Sequence, residues 1–271
     1  MFVYAITSHK GGVGKTTTAV NLGAALAHEG KRVLLVDLDP KSSLTAAVGL
    51  TPSGLSLGEA LLEPGCLPEA IRPCVGGMDC VTATATLAVV FLELAMTEGS
   101  AFRLSQALQS VWERYDYALI DCPSSLGSAL TNALTAAHIA LVPLQCDYLS
   151  LRGLADTQEM VIAIRETTNP LLRLRVVGTM FDRRIAHAHD VFEAASAALP
   201  GQVYQTIIPR TVRLAEAPAT GQTILEYAWG SLGAQAYRLL GREVLQEVDT
   251  YETTRRYSDR DAEPALSGSA A

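Results

Sequence analysis

The sequence predicts an α/β fold: a doubly wound, mostly parallel sheet covered by helices on both faces. Three observations carry that prediction. Short apolar runs alternate with helical patterns along most of the 271 residues. The runs are continuously apolar rather than alternating, as strands buried on both faces are. The first run passes through a glycine-rich turn directly into a helical pattern, and such strand–helix alternation builds this class of sheet.

The elements follow in order. Residues 2–7 (FVYAIT) read as the first strand, and residues 16–29 as a helix with Gly30 as its stop. Residues 32–37 (RVLLVD), 117–121 (YALID), 139–144 and 174–180 read as buried strands, with a later strand at 203–208. Residues 51–77 carry Pro52, Pro64, Pro68 and Pro73 and read as surface helices and turns of the same domain. Residues 233–248 read as a helix packed on the core. A single domain is expected over 1–249. Residues 250–271 are polar, lack apolar periodicity and read as a disordered tail. There is no internal repeat.

Composition excludes several classes. With 49% hydrophobic and 18% charged residues the chain is globular, and no apolar run approaches the length of a membrane span. No basic and then apolar leader precedes the first strand, so a secretory signal is not expected. The five cysteines (Cys66, Cys74, Cys80, Cys122, Cys146) form no CxxC pair and are odd in number, which fits a reducing cytoplasm rather than a disulfide framework or a structural zinc site. His187 and His189 have no further histidine or cysteine near them in sequence, so a metal pair is not expected. The net charge of −7 does not announce a nucleic-acid binder, although a local basic patch could still serve one.

The most specific signal is the run His9-Lys10-Gly11-Gly12-Val13-Gly14-Lys15-Thr16-Thr17, placed between a predicted strand and a predicted helix. Phosphate-binding loops require that context. Glycines let successive N–H groups turn inward around phosphate oxygens, and the helix N-terminus adds its positive end. In this reading Lys15 sits on the β- and γ-phosphates, the Thr16 hydroxyl ligates Mg²⁺ and Thr17 serves the α-phosphate. The first glycine of GxxxxGK[ST] is replaced by His9, and a second lysine, Lys10, stands five residues before Lys15. Asp121 ends the strand YALID, where a carboxylate can hold Mg²⁺ through water. Asp37 and Asp39 end RVLLVD beside Pro40, where a carboxylate can polarise attacking water. The blander roles are a helix N-cap for Asp121 and a turn residue for Asp39.

KGGVGKTTTAVNLGAAL, VDLDP, LIDCPSSLG and IPRTVRLAEAP occur in that order. Together they resemble the ParA/Soj branch of the deviant Walker A (ParA/MinD) P-loop ATPases over about residues 1–248. The resemblance implies ATP and Mg²⁺ as cofactors, with nucleotide bound by Lys10, Gly11, Gly12, Val13, Gly14, Lys15, Thr16, Thr17 and Asp121, and by Pro209 and Arg210 on the adenine side. It implies metal-site roles for Thr16, Asp39 and Asp121, and catalytic roles for Lys10, Lys15 and Asp39. Lys10 matches the lysine that reaches the partner's nucleotide in an ATP-dependent homodimer. It further implies nonspecific double-stranded DNA as a ligand, contacted through Arg183, Arg184 and Arg213. A ParB-type activator would stimulate an otherwise weak ATP hydrolase, which would act in DNA partition in the cytoplasm, on the nucleoid and not at a membrane.

Two segments depart from the family's pattern. DPQGNAT reads Asp39-Pro40-Lys41-Ser42-Ser43-Leu44-Thr45, and DCPPSLG reads Asp121-Cys122-Pro123-Ser124-Ser125-Leu126-Gly127. Both lie where the γ-phosphate is expected, and they bear on hydrolysis and partner coupling. The alternatives are a ParA-like ATPase that positions a protein cargo, a MinD-like membrane regulator, and a metabolic synthase of the same fold. The second would need a basic amphipathic C-terminal helix, which the tail after residue 248 does not offer.

Overall fold

The computed structural model describes residues 1–261. Eight strands form one sheet: β1 (Phe2–Ile6), β2 (Val33–Asp37), β3 (Ile71–Pro73), β4 (Asp79–Val81), β5 (Tyr117–Asp121), β6 (Ile139–Gln145), β7 (Arg173–Phe181) and β8 (Val203–Pro209). Their spatial order is β3-β4-β2-β5-β1-β6-β7-β8. All neighbours are parallel except β3, which runs antiparallel to β4. The doubly wound α/β prediction therefore holds.

Every residue of β1, β2 and β5 is buried. Alternate residues of a strand point to opposite faces, so each continuous apolar run feeds two cores at once. Val3, Ala5, Leu34, Val36 and Ile120 enter one core, with Leu87, Leu104, Leu130 and Leu154 from the helices above them. Tyr4, Ile6, Leu35 and Leu119 enter the other, under the helices Lys15–His28 and Leu232–Asp261. These two helices touch closely: a Cβ on Gly241 would lie 3.0 Å from the Ala25 Cβ, so glycine sets their separation.

Strands after β1 build outward on one side and strands after β5 on the other. The winding thus reverses beside β1 and β5, and crevices at the C-terminal ends of strands bind ligands at such points. The register sharpens this: Ile6 pairs with Asp121, and Asp121 with Asp37. Two carboxylates and the start of the glycine loop are brought to one level.

Two expectations need correction. Residues 51–77 are not only surface helices and turns: they contain β3, and Leu57, Leu61 and Leu67 are fully buried under the sheet. Prolines and loop residues mask a segment whose apolar positions are too sparse to show a period. The last helix runs to Asp261, so the expected start of a tail at Thr250 falls inside it. Residues 262–271, the rest of that expected tail, lie outside the described residues. No helix of the described residues is long and apolar enough to cross a membrane.

The last helix is tied to the sheet by Glu247, whose side chain is 7% exposed. Its Oε1 accepts from Arg175 Nε at 2.7 Å and its Oε2 from the Tyr204 hydroxyl at 2.5 Å. Removing one partner of such a pair leaves the others buried and unpaired. Glu247→Ala is expected to destabilise the fold by about 2–4 kcal/mol, measured as the change in urea unfolding free energy. A loss under about 0.5 kcal/mol would mean that the helix is held by its apolar face alone.

Candidate functional site

The loop after β1 folds as its glycines require. Gly12 and Gly14 have φ of 76° and 96°, in the region that favours glycine, and a Cβ at either would meet open space. Conformation, not crowding, selects glycine here. Gly14 also precedes the helix Lys15–His28 with no side-chain cap, which leaves the first N–H groups of that helix available to an anion. The loop is anchored from outside, since the Val13 carbonyl accepts from the Thr179 hydroxyl of β7 at 2.9 Å.

The two lysines of the loop diverge. Lys15 Nζ curls back to the carbonyls of Ser8 and Lys10, each at 3.4 Å. Burial lowers its pKa, and the nearby charges of Asp121 and Asp39 oppose that shift. Lys10 leaves the loop altogether: its Nζ donates to Asp147 Oδ2 at 2.5 Å and to the Ser150 hydroxyl at 3.2 Å. Asp147 caps the helix Tyr148–Thr167, accepting from the Ser150 N–H at 3.0 Å. Burial pushes the Asp147 carboxyl up, but the Lys10 ammonium and the Ser150 bonds outweigh it and hold the group below the usual range.

Asp121 is 1% exposed. The Thr16 hydroxyl donates to its Oδ2 at 2.6 Å, while its Oδ1 is buried with no hydrogen-bond partner. Burial raises its pKa to about 8, against the pull of the Thr16 bond. Beside it, burial raises Asp37 to about 6, against the Thr45 hydroxyl and N–H that donate to its Oδ2 at 2.7 and 2.8 Å. Asp39 stands half-buried above them, its Oδ1 accepting from the Lys41 N–H at 3.0 Å. An orphaned buried carboxylate oxygen next to a threonine hydroxyl fits a hard cation that keeps most of its ligands from water and phosphate, as Mg²⁺ does. Among the described residues no group of three His, Cys, Asp or Glu side chains could hold a metal alone, so the remaining ligands would come from the bound species.

Val13, Gly14, Thr17, Pro209, Arg210 and Tyr237 line a cavity of about 360 Å³ beside the loop, within the size range of ligand pockets. The expected adenine-side residues Pro209 and Arg210 are therefore brought to the phosphate loop. Arg183, Arg184 and Arg210 share a neighbouring open groove, because the Arg210 N–H donates to the Phe181 carbonyl and joins the two segments. Each of the other two expected DNA contacts has a local partner: Arg184 pairs with Asp182 at 2.7 Å and Arg213 with Glu216 at 3.0 Å. His189 is exposed on the helix Ala186–Ala198 and packs edge-on against Phe181, and Cys122 is a buried core residue.

The chain matches the AAA domain family over residues 1–174. It is 41% identical over 249 residues to the chromosome partitioning protein ParA of Caulobacter vibrioides (strain NA1000 / CB15N), covering 90% of this chain and 93% of the relative. It is 41% identical over 246 residues to the sporulation initiation inhibitor protein Soj of Bacillus subtilis (strain 168), covering 89% and 97%. The chain belongs to the ParA/Soj family of partition ATPases. Among solved structures it is similar to the cobyrinic acid a,c-diamide synthase of Mycobacterium smegmatis with bound ADP and magnesium, at a TM-score of 0.82 and 35% identity, covering 92% of this chain and 96% of that one. The family thus reaches across a fold whose neighbours hold nucleotide and metal.

Sequence reasoning missed Asp147 and Ser150. An aspartate three residues before a serine does signal a helix start, but nothing local reveals a partner 137 residues away. It also missed the left-handed backbone of Ser42 and Met180, with φ of 55° and 52°.

The raised pKa of Asp121 has a sign. Its folded value of about 8 exceeds the ordinary 3.8, so the fold favours the protonated form. That contribution is complete below about pH 4 and is lost as the pH rises through about 8. In Mg²⁺-free buffer the stability difference between the native chain and Asp121→Asn should move against the native chain across that window, as read from urea midpoints. A difference independent of pH would contradict it.

Proposed function

We propose that this ATPase binds ATP·Mg²⁺ in the Lys10–Thr17 loop and closes as a sandwich dimer that binds DNA without sequence preference. A ParB-type activator then stimulates hydrolysis and releases the dimer, in the service of DNA partition on the nucleoid. The observation that carries the reading is the divergence of the two lysines. Lys15 folds over its own loop, whereas Lys10 is turned away from it, to a part-exposed ion pair with Asp147 and a bond to the Ser150 hydroxyl. A lysine so placed is available to a phosphate of a second chain.

The roles we assign rest on the resemblance, and the geometry of the loop is compatible with them. Gly11, Gly12, Val13, Gly14 and Thr17 present backbone and hydroxyl groups to phosphate oxygens. Lys15 neutralises charge at the β- and γ-phosphates. Thr16 and Asp121 would hold Mg²⁺, which would neutralise charge on the phosphate oxygens and so ease attack by water. Asp39, at the rim, orients that water and contributes to the metal site through its surroundings. Arg183, Arg184 and Arg213 contact DNA phosphates. Arg184 and Arg213 keep solvent-exposed heads in their pairs with Asp182 and Glu216, and exchanging such a surface pair for a phosphate costs little. Phosphate contacts of this kind carry no sequence information.

A second reading has one observation behind it: the solved synthase above shares 35% identity with this chain. A synthase would turn over ATP only with a small-molecule acceptor and would need no DNA.

The deciding measurement is binding to a random-sequence duplex in ATP and in ADP across a salt series, with Asp39→Ala to retain the ATP state. Binding with ATP alone, weakening steeply with salt, is expected. Loss of DNA affinity in both states would remove the nucleoid role and favour the synthase reading.

The Lys10–Asp147 pair should oppose closure, because both chains must give it up. Asp147→Asn keeps a helix cap of equal quality and removes the charge. Two half-exposed pairs at about 0.5–1 kcal/mol each predict dimerisation at roughly five- to thirtyfold lower protein concentration in ATP, measured by sedimentation. Unchanged or weaker dimerisation would show that the pair does not restrain Lys10.

A further inference from the structure

Ser42 adopts a left-handed backbone, with φ 55° and ψ 36°. A side chain is disfavoured there, so a local bond must compensate. The Ser42 hydroxyl donates to the Ala83 carbonyl at 3.0 Å. Ala83 in turn donates its N–H to the Thr45 hydroxyl oxygen at 3.1 Å. Two side chains of the 37–45 segment therefore grip one residue just beyond β4, through both its carbonyl and its N–H.

Asp39 hangs between the two grips. Its N–H donates to Asp37 Oδ1 at 3.2 Å, and its carbonyl accepts from the Ser42 N–H at 2.8 Å. Its carboxylate takes only the Lys41 N–H. Asp37 is fixed from below by Thr45, so the lower end of the turn is rigid. At the upper end the side-chain tie comes from Ser42, whose carbonyl also accepts from the Ala46 N–H as the next helix begins. A free Ser42 hydroxyl would let the turn relax to an ordinary backbone and carry Asp39 with it.

We propose that Ser42 is a positioning residue for Asp39: its bond to the Ala83 carbonyl holds the 39–42 turn in the left-handed form that keeps the carboxylate at the rim of the phosphate loop. The kinetic consequence rests on the ATPase reading above; the structural tie does not. Alanine at this position keeps the backbone strain and loses the tie. Glycine loses both. The pair separates a role in placing Asp39 from a role in stability.

The experiment compares the full-length chain with Ser42→Ala and Ser42→Gly. One arm reads amide hydrogen exchange over residues 38–46 without nucleotide. The other reads kcat and KM for ATP. Loss of one hydrogen bond predicts about five- to tenfold faster exchange at Lys41 and Ser42 in both variants. A fall in kcat of about five- to twentyfold with KM within about twofold is expected in Ser42→Ala, with a lower urea midpoint, whereas Ser42→Gly, which adopts the left-handed backbone without strain, should keep kcat within about twofold. Exchange within about twofold of the native chain in Ser42→Ala would overturn the tie. Faster exchange with native kcat in Ser42→Ala, or an equal fall of kcat in both variants, would overturn the positioning of Asp39 through the left-handed turn. A native chain that hydrolyses no ATP would sink the ATPase reading and the kinetic role together, while the exchange arm would still decide the tie.

Discussion

The level register of β1, β2 and β5 is the constraint on which the site depends. Because the sheet is parallel and covered on both faces, its polar chemistry can lie only at the strand ends. The pairing of Ile6, Asp121 and Asp37 places the phosphate loop and two buried carboxylates at one height. Two carboxylates cannot both ionise cheaply there, so burial raises both, one to about 6 and the other to about 8. At neutral pH the higher of the two, Asp121, favours its protonated form, and a cation bound there would replace that proton. The orphaned Oδ1 of Asp121 marks the place where that exchange would be most favourable.

The rim above this row is made of loops, tied to β7 on one side and to the segment just beyond β4 on the other. Thr179 of β7 holds the Val13 carbonyl, Ala83 beyond β4 holds Ser42 and Thr45, and the Phe181 carbonyl holds the Arg210 N–H. None of these bonds is large on its own, at about 1 kcal/mol each. Together they set where the phosphate loop, the Asp39 turn and the cavity-lining segment 209–211 stand relative to one another. Lys10 is the exception, since its tether is an ion pair near the surface rather than a buried hydrogen bond. It is the member of the site best able to move.

Much of this was legible in the sequence because the informative residues are local. A strand, a glycine loop and a helix occur within residues 1–28, and their order alone fixes the phosphate cradle. Buried apolar strands declared themselves by length and by β-branched and aliphatic content. The short strands did not: β3 and β4 have three residues each, too few to show a period, and are held by pairing to longer neighbours. Asp147 escaped because its role depends on a contact 137 residues away. Ser42 escaped because a left-handed backbone is ordinarily signalled by glycine or asparagine, and here a hydroxyl bond does the work instead. The pairing of Arg184 with Asp182 and of Arg213 with Glu216 was legible as well, because each carboxylate stands two or three residues from its arginine.

Those pairings bear on how an acidic chain could hold DNA at all. With a net charge of −7, one copy is repelled by a phosphate backbone, a repulsion that physiological salt screens beyond about 8 Å. A single set of three arginines, two of them already matched to carboxylates, offers too little local attraction to overcome that. The proposed dimer would bring two sets to one surface, and each phosphate neutralised would release condensed counterions, so the favourable term would grow with the number of contacts. The repulsion grows as well, but it is screened by salt, whereas contact pairs are not screened to the same degree. On the proposed reading, nucleotide-dependent closure is therefore a condition for DNA affinity and not an addition to it. The acidic composition, which at first argued against a nucleic-acid ligand, is what would keep the open chain off DNA.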